Sequence, residues 1–485
     1  RALLQESSRA YHTQINDLLL AALTLAFQDW TGADRLLVEL ESHGRQHPAI
    51  ELDVTQTVGW FTAIYPVVLS AASSLQDTIK QVKEQLRRVP SFGVHWGALR
   101  YGSAGSEARD RLASLPKAEV LFNYLGQTGD VLPRDSEWKP LMHAGGSGRS
   151  PRQKRDHLLE INALVEGGRL QVIWSYSRRV HRRQTVEQLA WSYRERLDDA
   201  IKNCAEAASS AFTPSDVPAA RVSQTTLDAL AAEMPLGVED AYELTPAQLG
   251  MLFHSIYEPT AGAYLNQLTC GIQGSLDERL FREAWRTVLE HHAALRTTYH
   301  WRGIEKPLQV VRRRAPLPWR FEDWRGSPGR ALDEELEQDR ALGFDLAQAP
   351  LMRFSLFRMG EQNWRFQWTQ HHLLLDGWSS ALILNQVVQS YAALAAGRSR
   401  TLPIARPFRD HILWLQAQDA SLAGRFWRDE LSGFHTPTPL VLGRPEIDGT
   451  AGAGRMSEEE AQMGKSESAN LAAFAQNHGI TLNTL

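Results

Sequence analysis

Apolar residues crowd the stretch Asn16 to Trp30, where Leu18, Leu19, Leu20, Leu23 and Phe27 follow closely and Gly32 lies just beyond. That density predicts a helix buried by its neighbours and stopped by the glycine. Leu36 to Leu40 is a short unbroken apolar run and predicts a buried strand; Val58 to Leu69, aromatic and β-branched, predicts a second. Leu75 to Arg88 returns to helical spacing through Ile79, Val82 and Leu86 and ends before Pro90. Glu119 to Leu125 predicts another strand. Leu158 to Val165 and Leu170 to Tyr176 flank Glu166-Gly167-Gly168, which is hairpin chemistry. Thr185 to Cys204 closes this first pattern as a long amphipathic helix.

The pattern lapses between 205 and 240. Ala-Ser repetition and Thr213-Pro214-Ser215-Asp216-Val217-Pro218 predict a linker with turns, holding one short helix from Gln224 to Met234. A second alternation of helix and strand begins at Tyr242. Thr245 as a cap and Pro246 at the first helical position open a helix to Ile256, whose apolar Met251, Leu252 and Phe253 are expected in the core. Asp277 to His292 predicts a helix with Phe281, Trp285, Val288 and Leu289 on one face. Strands are predicted near Leu295 to Tyr299, Leu351 to Phe357 and Trp364 to Gln370. Ser379 to Ala396 predicts a helix stopped at Gly397. Gly443 to Lys465 predicts an exposed loop, and Thr481 to Leu485 an apolar helix start.

Composition then narrows the function. A chain of 485 residues suggests about three compact units at about 150 residues each. Lys plus Arg is 52 against 56 for Asp plus Glu, a net charge of −4, which removes nucleic acid and polybasic membrane binding as defaults. Cys204 and Cys270 are the only cysteines. They exclude a disulfide scaffold and a Cys-rich zinc module, and they fit a reducing, cytoplasmic setting. No apolar run approaches the ~20 residues of a membrane helix. Arg1 to Glu6 lacks the order of a signal peptide, and no glycine-rich nucleotide motif occurs.

The heptad His371-His372-Leu373-Leu374-Leu375-Asp376-Gly377 carries the clearest chemistry, between a predicted strand and a predicted helix. Imidazole ordinarily titrates near ~6.5, so a neutral ring accepts a proton near neutral pH. Asp376 can order the turn through a cation, and Gly377 permits close approach. The alternative is a pair of core histidines ahead of an N-capping Asp. Adjacent histidines do not readily face one ion and no further ligand lies nearby, so no metal is expected.

The heptad is similar to the HHxxxDG signature of the condensation domains of nonribosomal peptide synthetases. Leu244 to Ser255, with Thr245-Pro246-Ala247-Gln248, resembles that family's first motif. Leu295-Arg296-Thr297 resembles its second, and Gly343-Phe344-Asp345-Leu346 with Pro350-Leu351-Met352-Arg353 resembles the stretch before the histidines. The first segment resembles the carboxyl-terminal half of an epimerization domain, a sister of the condensation domain. Asn16 to Ala22 looks like one motif. Glu41-Ser42-His43-Gly44-Arg45-Gln46 is similar to EGHGRE, with Ser for Gly and Gln for the last Glu. Thr57 to Thr62 with Tyr65-Pro66 is similar to RTVGWFT..YP, with Gln56 in place of Arg. Pro90 to Tyr101 matches a further motif loosely, and Phe122 to Gln127 matches the last one fully. The epimerization domain's own HHxxxDG is absent and is expected upstream of Arg1.

The resemblance implies an α/β fold of chloramphenicol-acetyltransferase-like lobes, of the condensation/epimerization domain superfamily, in two incomplete V-shaped domains. Residues 1–210 are expected to be the C-terminal lobe of an epimerization domain and 211–240 a linker. Residues 241–440 are expected to be the N-terminal lobe of a condensation domain, with 441–485 the crossover and the start of its C-terminal lobe. The implied activity is L-to-D epimerization of a carrier-bound thioester, then peptide-bond formation with the next carrier-bound amino acid. Glu41 is implied as an acid/base group, with His43 and Arg45 shaping the turn or holding it, and Asn123 and Tyr124 near the cleft. His372 is implied to act on the attacking amine. His371 is expected to point into the scaffold, Asp376 to pair with Arg296, and Gly377 to keep space for substrate. No cofactor is expected to bind directly; substrates ride on the 4′-phosphopantetheine of partner carrier domains. The implied partners are upstream and downstream peptidyl carrier protein domains and an adjacent adenylation domain, with no nucleic acid and no membrane. The chain alone is expected to show little or no activity, because each cleft lacks one wall. Two rivals remain: a coenzyme A-dependent acyltransferase of the HHxxxDG superfamily, against which the upstream motifs argue, and an inactive scaffold or docking segment, favoured only by Gln46 and Gln56.

Overall fold

The computed structural model describes residues 10–45, 53–102, 106–127, 150, 154–206, 212–234, 237–258, 262, 264–326, 332–398, 401–436 and 459–485. The dense apolar run forms helix α1 (Ile15–Thr31), in which Leu18 to Phe27 are all buried, and Gly32 ends it with a left-handed φ of 71°. It lies against α2 (Leu75–Arg87) and α5 (Arg183–Glu206) on one face of a five-stranded sheet. The strands are β1 (Arg35–Ser42), β2 (Ala63–Ser70), β3 (Val120–Gln127), β4 (Leu159–Glu166) and β5 (Arg169–Tyr176), in the order β2-β1-β3-β4-β5. β1, β3 and β4 run parallel in the middle, with β2 and β5 antiparallel at the edges. Leu36, Val38 and Leu40 of β1 turn into the helical core, so Glu39 and Glu41 stand on the opposite face. Gly167 and Gly168, both at positive φ, make the two-residue β4–β5 turn. Two short helices, α3 (Val94–Tyr101) and α4 (Ser106–Ala113), lie between β2 and β3.

The predicted strand from Val58 is shorter than its composition suggested. Val58 is 100% exposed and Trp60 90% exposed, and the pairing with β1 starts only at Ala63. Apolar content without a partner strand does not make a ladder.

The expected linker is ordered where it is described. Two short 3₁₀ turns, Pro214–Asp216 and Pro218–Ala220, lead to α6 (Gln224–Glu233), capped by Ser223. Phe212, Val217, Leu227, Leu230 and Met234 share a core with Leu308 and Val310 of the second pattern. On its other side the buried Lys83 of α2 donates to Asp216, and His12 stacks on Phe212. The Ala-Ser stretch before it lies outside the described residues.

A second four-stranded sheet has the order β10-β11-β12-β7, from β7 (Leu265–Gln273), β10 (Trp319–Asp323), β11 (Met352–Arg358) and β12 (Asn363–His371). Helices α8 (Glu278–His291) and α10 (Gly377–Ala395) bury Phe281, Trp285, Ile383 and Val387 against its Phe354, Phe366 and Trp368. A three-stranded antiparallel sheet joins β6 (Val238–Glu243), β9 (Leu308–Arg312) and β8 (Thr297–His300). Helix α7 (Pro246–Tyr257) opens with a capping box between Thr245 and Gln248. Its Leu252 is buried and Met251 packs on the core, but Phe253 is 62% exposed, against the expectation for that stripe. Helices α9 (Leu332–Ala341) and α11 (Phe408–Gln416) complete this part of the fold, and all three sheets belong to one compact unit that reaches Gln418. Residues 419–485 form a separate unit with α12 (Ala420–Glu430) and α13 (Lys465–Asn477). The predicted Gly443 loop lies mostly outside the described residues, and the last residues form a 3₁₀ turn, Leu482–Thr484. Among the described residues no helix is long and apolar enough to cross a membrane.

Candidate functional site

Two separate clefts gather the residues singled out by sequence. The first, of about 490 Å³, opens at the carboxyl ends of the parallel strands β1 and β3 and is lined by Glu41, His43, Asn123 and Tyr124. Carboxyl ends of parallel strands are where α/β sheets place ligands. Glu41 lies one step beyond the Leu40–Phe122 pair, and the Asn123 side-chain amide donates to its Oε2 at 2.7 Å. Burial pushes the Glu41 carboxyl above its usual range; His157 draws it down and Glu160 adds to the rise. Arg45 does not hold Glu41. Its guanidinium donates to the carbonyls of Val54 and Thr57 and lies over the Phe61 ring, and its amide donates to His43 Nδ1. Both residues therefore shape the turn. Gly44 sits inside it at φ 62°, where a Cβ would come 1.7 Å from the Phe61 carbonyl oxygen, so only glycine fits. Gln46 lies outside the described residues. The cleft also has a wall that sequence reasoning left unassigned: the fully buried Asp17 receives Arg87 at 2.8 Å. Its signal was only its place in the Asn16–Ala22 motif.

The second cleft, of about 410 Å³, contains His372. β12 ends at His371, which pairs with Leu265, and the chain then turns through residues 372–375 into α10. His371 is buried, with Nε2 on Ser255 Oγ at 3.2 Å and Nδ1 accepting the Leu373 amide at 3.2 Å. Burial lowers its pKa to about 4, so it is a neutral scaffold residue near neutral pH. His372 Nδ1 lies 2.9 Å from the Leu375 carbonyl and 3.1 Å from the Asn266 side-chain amide. The Leu375 carbonyl only accepts and is the nearer partner, which places the proton on Nδ1 with the Asn266 amide turned to present its oxygen, and Nε2 then keeps its lone pair. Among the described residues Nε2 has no protein partner. Asn266, from β7, was not anticipated.

Asp376 and Arg296 do not form the expected pair. Asp376 caps α10 by accepting the Ser379 amide at 2.7 Å, and those bonds draw its pKa down. Arg296 is buried and turned the other way, donating to Glu239 at 2.6 Å and to the Arg312 carbonyl. The 3₁₀ turn Ala293–Arg296 aims the guanidinium at β6 and β9. A Cβ on Gly377 would meet nothing within 4 Å. Among the described residues no group of three or more His, Cys, Asp or Glu is placed to hold a metal.

The condensation-domain family matches residues 1–222 and again 238–485. The chain is 41% identical to one component of the linear gramicidin synthase of Brevibacillus parabrevis over 495 residues, covering all of this chain and 6% of that protein. It is 34% identical to bacitracin synthase 3 of Bacillus licheniformis over 494 residues, covering all of this chain and 8% of the relative. The chain thus spans a small part of these relatives. Among solved structures, the epimerization domain from the third module of tyrocidine synthetase B is 40% identical, with 42% of this chain and 45% of that chain covered and a TM-score of 0.37. Two consecutive family matches cover nearly every residue, and the chain belongs to the condensation-domain family of nonribosomal peptide synthetases.

Proposed function

We propose that the first cleft epimerises a carrier-bound aminoacyl or peptidyl thioester from L to D, and that the second joins this D residue to the next carrier-bound amino acid. The chain then lies at a module boundary. Residues 1–210 serve the epimerization domain, 211–240 link, and 241–485 belong to the condensation domain.

In the first cleft the Glu41 carboxylate takes the Cα proton, the electron pair moves into the thioester carbonyl, and a group opposite returns a proton to the other face. A carboxyl pushed up by burial is suited to both holding and taking a proton, and Asn123 fixes its Oε2. In the second cleft the acceptor amine attacks the donor thioester carbonyl. The C–N bond forms, the C–S bond breaks, and the departing thiolate takes the proton the amine gives up. His372 Nε2 accepts that proton or orients the amine. The substrates arrive on phosphopantetheine arms of carrier domains, loaded by an adenylation domain. The free thiols of Cys204 and Cys270 fit a cytoplasmic setting.

The observation that carries the reading is the His372 ring, held at Nδ1 in a cleft with Nε2 unpartnered among the described residues. The test is His372→Ala in the synthetase that carries this chain. Carrier loading is retained and peptide formation falls by about 10²–10⁴-fold. A wild-type rate in that variant would refute the assignment.

A further inference from the structure

We infer that Tyr299 and Gln248 are positioning residues for the second cleft, acting on His372 through the carbonyl of Leu373. The inference rests on the role proposed for His372. Leu373 follows His372 in the turn, and its carbonyl oxygen accepts the Tyr299 hydroxyl at 2.5 Å and the Gln248 side-chain amide at 3.1 Å. Tyr299 is fully buried, and burial raises its pKa far above the ordinary phenol value, so its hydroxyl stays a donor.

Gln248 is itself fixed. Its Oε1 accepts the Gln309 side chain at 3.0 Å and the Thr245 amide at 3.0 Å. Two elements, α7 and β8, therefore meet at one carbonyl, and β9 braces the α7 donor through Gln309. The neighbouring amides of the turn are held as well. His372 N donates to the Tyr264 carbonyl at 2.7 Å, and Leu374 N donates to the His371 carbonyl at 3.1 Å. Leu375, two residues on, supplies the carbonyl that sets the tautomer of His372. Tilting the peptide after Leu373 carries the Leu375 carbonyl away from Nδ1, and the ring loses its fixed lone pair. The buried hydroxyl and amide prevent that tilt.

A core role for Tyr299 needs its ring, whereas a positioning role needs its hydroxyl. Tyr299→Phe separates them. In the synthetase that carries this chain, Tyr299→Phe lowers kcat for peptide formation about tenfold to a hundredfold with KM for the carrier-bound substrates unchanged. In the ¹⁵N-histidine-labelled chain, the single Nδ1–H form of His372 gives way to a mixture of tautomers. Should Tyr299→Phe not fold, Gln248→Met makes the same test through the second donor. His372→Ala is run beside them. If His372→Ala leaves peptide formation intact, the functional reading fails. If His372→Ala abolishes it while Tyr299→Phe keeps wild-type kcat and the single tautomer, the positioning inference is overturned.

Discussion

Lys83→Met should open the joint between the first sheet and the linker. The Lys83 side chain is 1% exposed. All three protons of its ammonium have acceptors: the Tyr11 carbonyl at 2.8 Å and the two Asp216 oxygens at 2.6 and 2.5 Å. Burial pulls the ammonium's pKa down and the Asp216 carboxylate opposes it. Met keeps the length and packing of the stem, so what is lost is the charge. Removing one member of a buried pair leaves the other desolvated and unpaired, at about 3–5 kcal/mol. Replacing both by apolar residues costs far less, since the pair itself is close to neutral against a well-packed substitute. Lys83→Met with Asp216→Leu should therefore recover all but about 1 kcal/mol, the cap that Asp216 provides to Thr213. The chain has more than one folding unit, so amide hydrogen exchange at Thr213 and Ser215 to Val217 is a better probe than one global transition. Those amides should exchange about 10²–10⁴-fold faster in the single variant and only about fivefold faster in the double. Wild-type protection in Lys83→Met, or a double variant worse than the single, would refute the reasoning.

Three further outcomes follow from the same geometry. The unfolded chain protonates His371 near the ordinary value, about 6.5, while the folded chain resists until about 4, so stability is lost as pH falls through that window, by about 3 kcal/mol in full; denaturation of wild type and His371→Asn from pH 7 to 4 should show the wild-type advantage shrinking. Asp376→Ala should cost about 1 kcal/mol as a lost helix cap and Asp376→Asn much less, and exchanging the charges of Asp376 and Arg296 should rescue nothing. Glu41→Gln should stabilise the fold at neutral pH, because the raised carboxyl pKa is a penalty borne by the ionised form; melting curves should show that gain vanish below the ordinary glutamate pKa.

The helices were legible where burial leaves an apolar period, as in Leu75 to Arg88 and Asp277 to His292. The heptad marked its own turn. What sequence did not yield came from partners distant along the chain. β7 is half exposed along its length and alternates weakly, so the strand that supplies Asn266 passed unnoticed. β6, half of it acidic, supplies Glu239, and a strand so polar gives no sign in the sequence that Arg296 turns to it instead of to Asp376. Gln248 stood out in the sequence only as part of the Leu244–Ser255 motif, yet its side chain reaches Leu373, 125 residues away. The linker read as a spacer because its composition is that of turns, while its apolar residues are a surface shared with β9. Register and burial of this kind are set by the assembled fold.

The central claim, two separable acid/base sites on one chain, is tested most directly by intact-carrier mass spectrometry in D₂O, using the synthetase that carries this chain. With His372→Ala, the upstream carrier-bound residue should gain one deuterium at Cα while peptide formation falls about 10²–10⁴-fold. With Glu41→Gln added, the deuterium should be lost as well. Deuterium uptake undiminished by Glu41→Gln, or peptide formation undiminished by His372→Ala, would contradict the account.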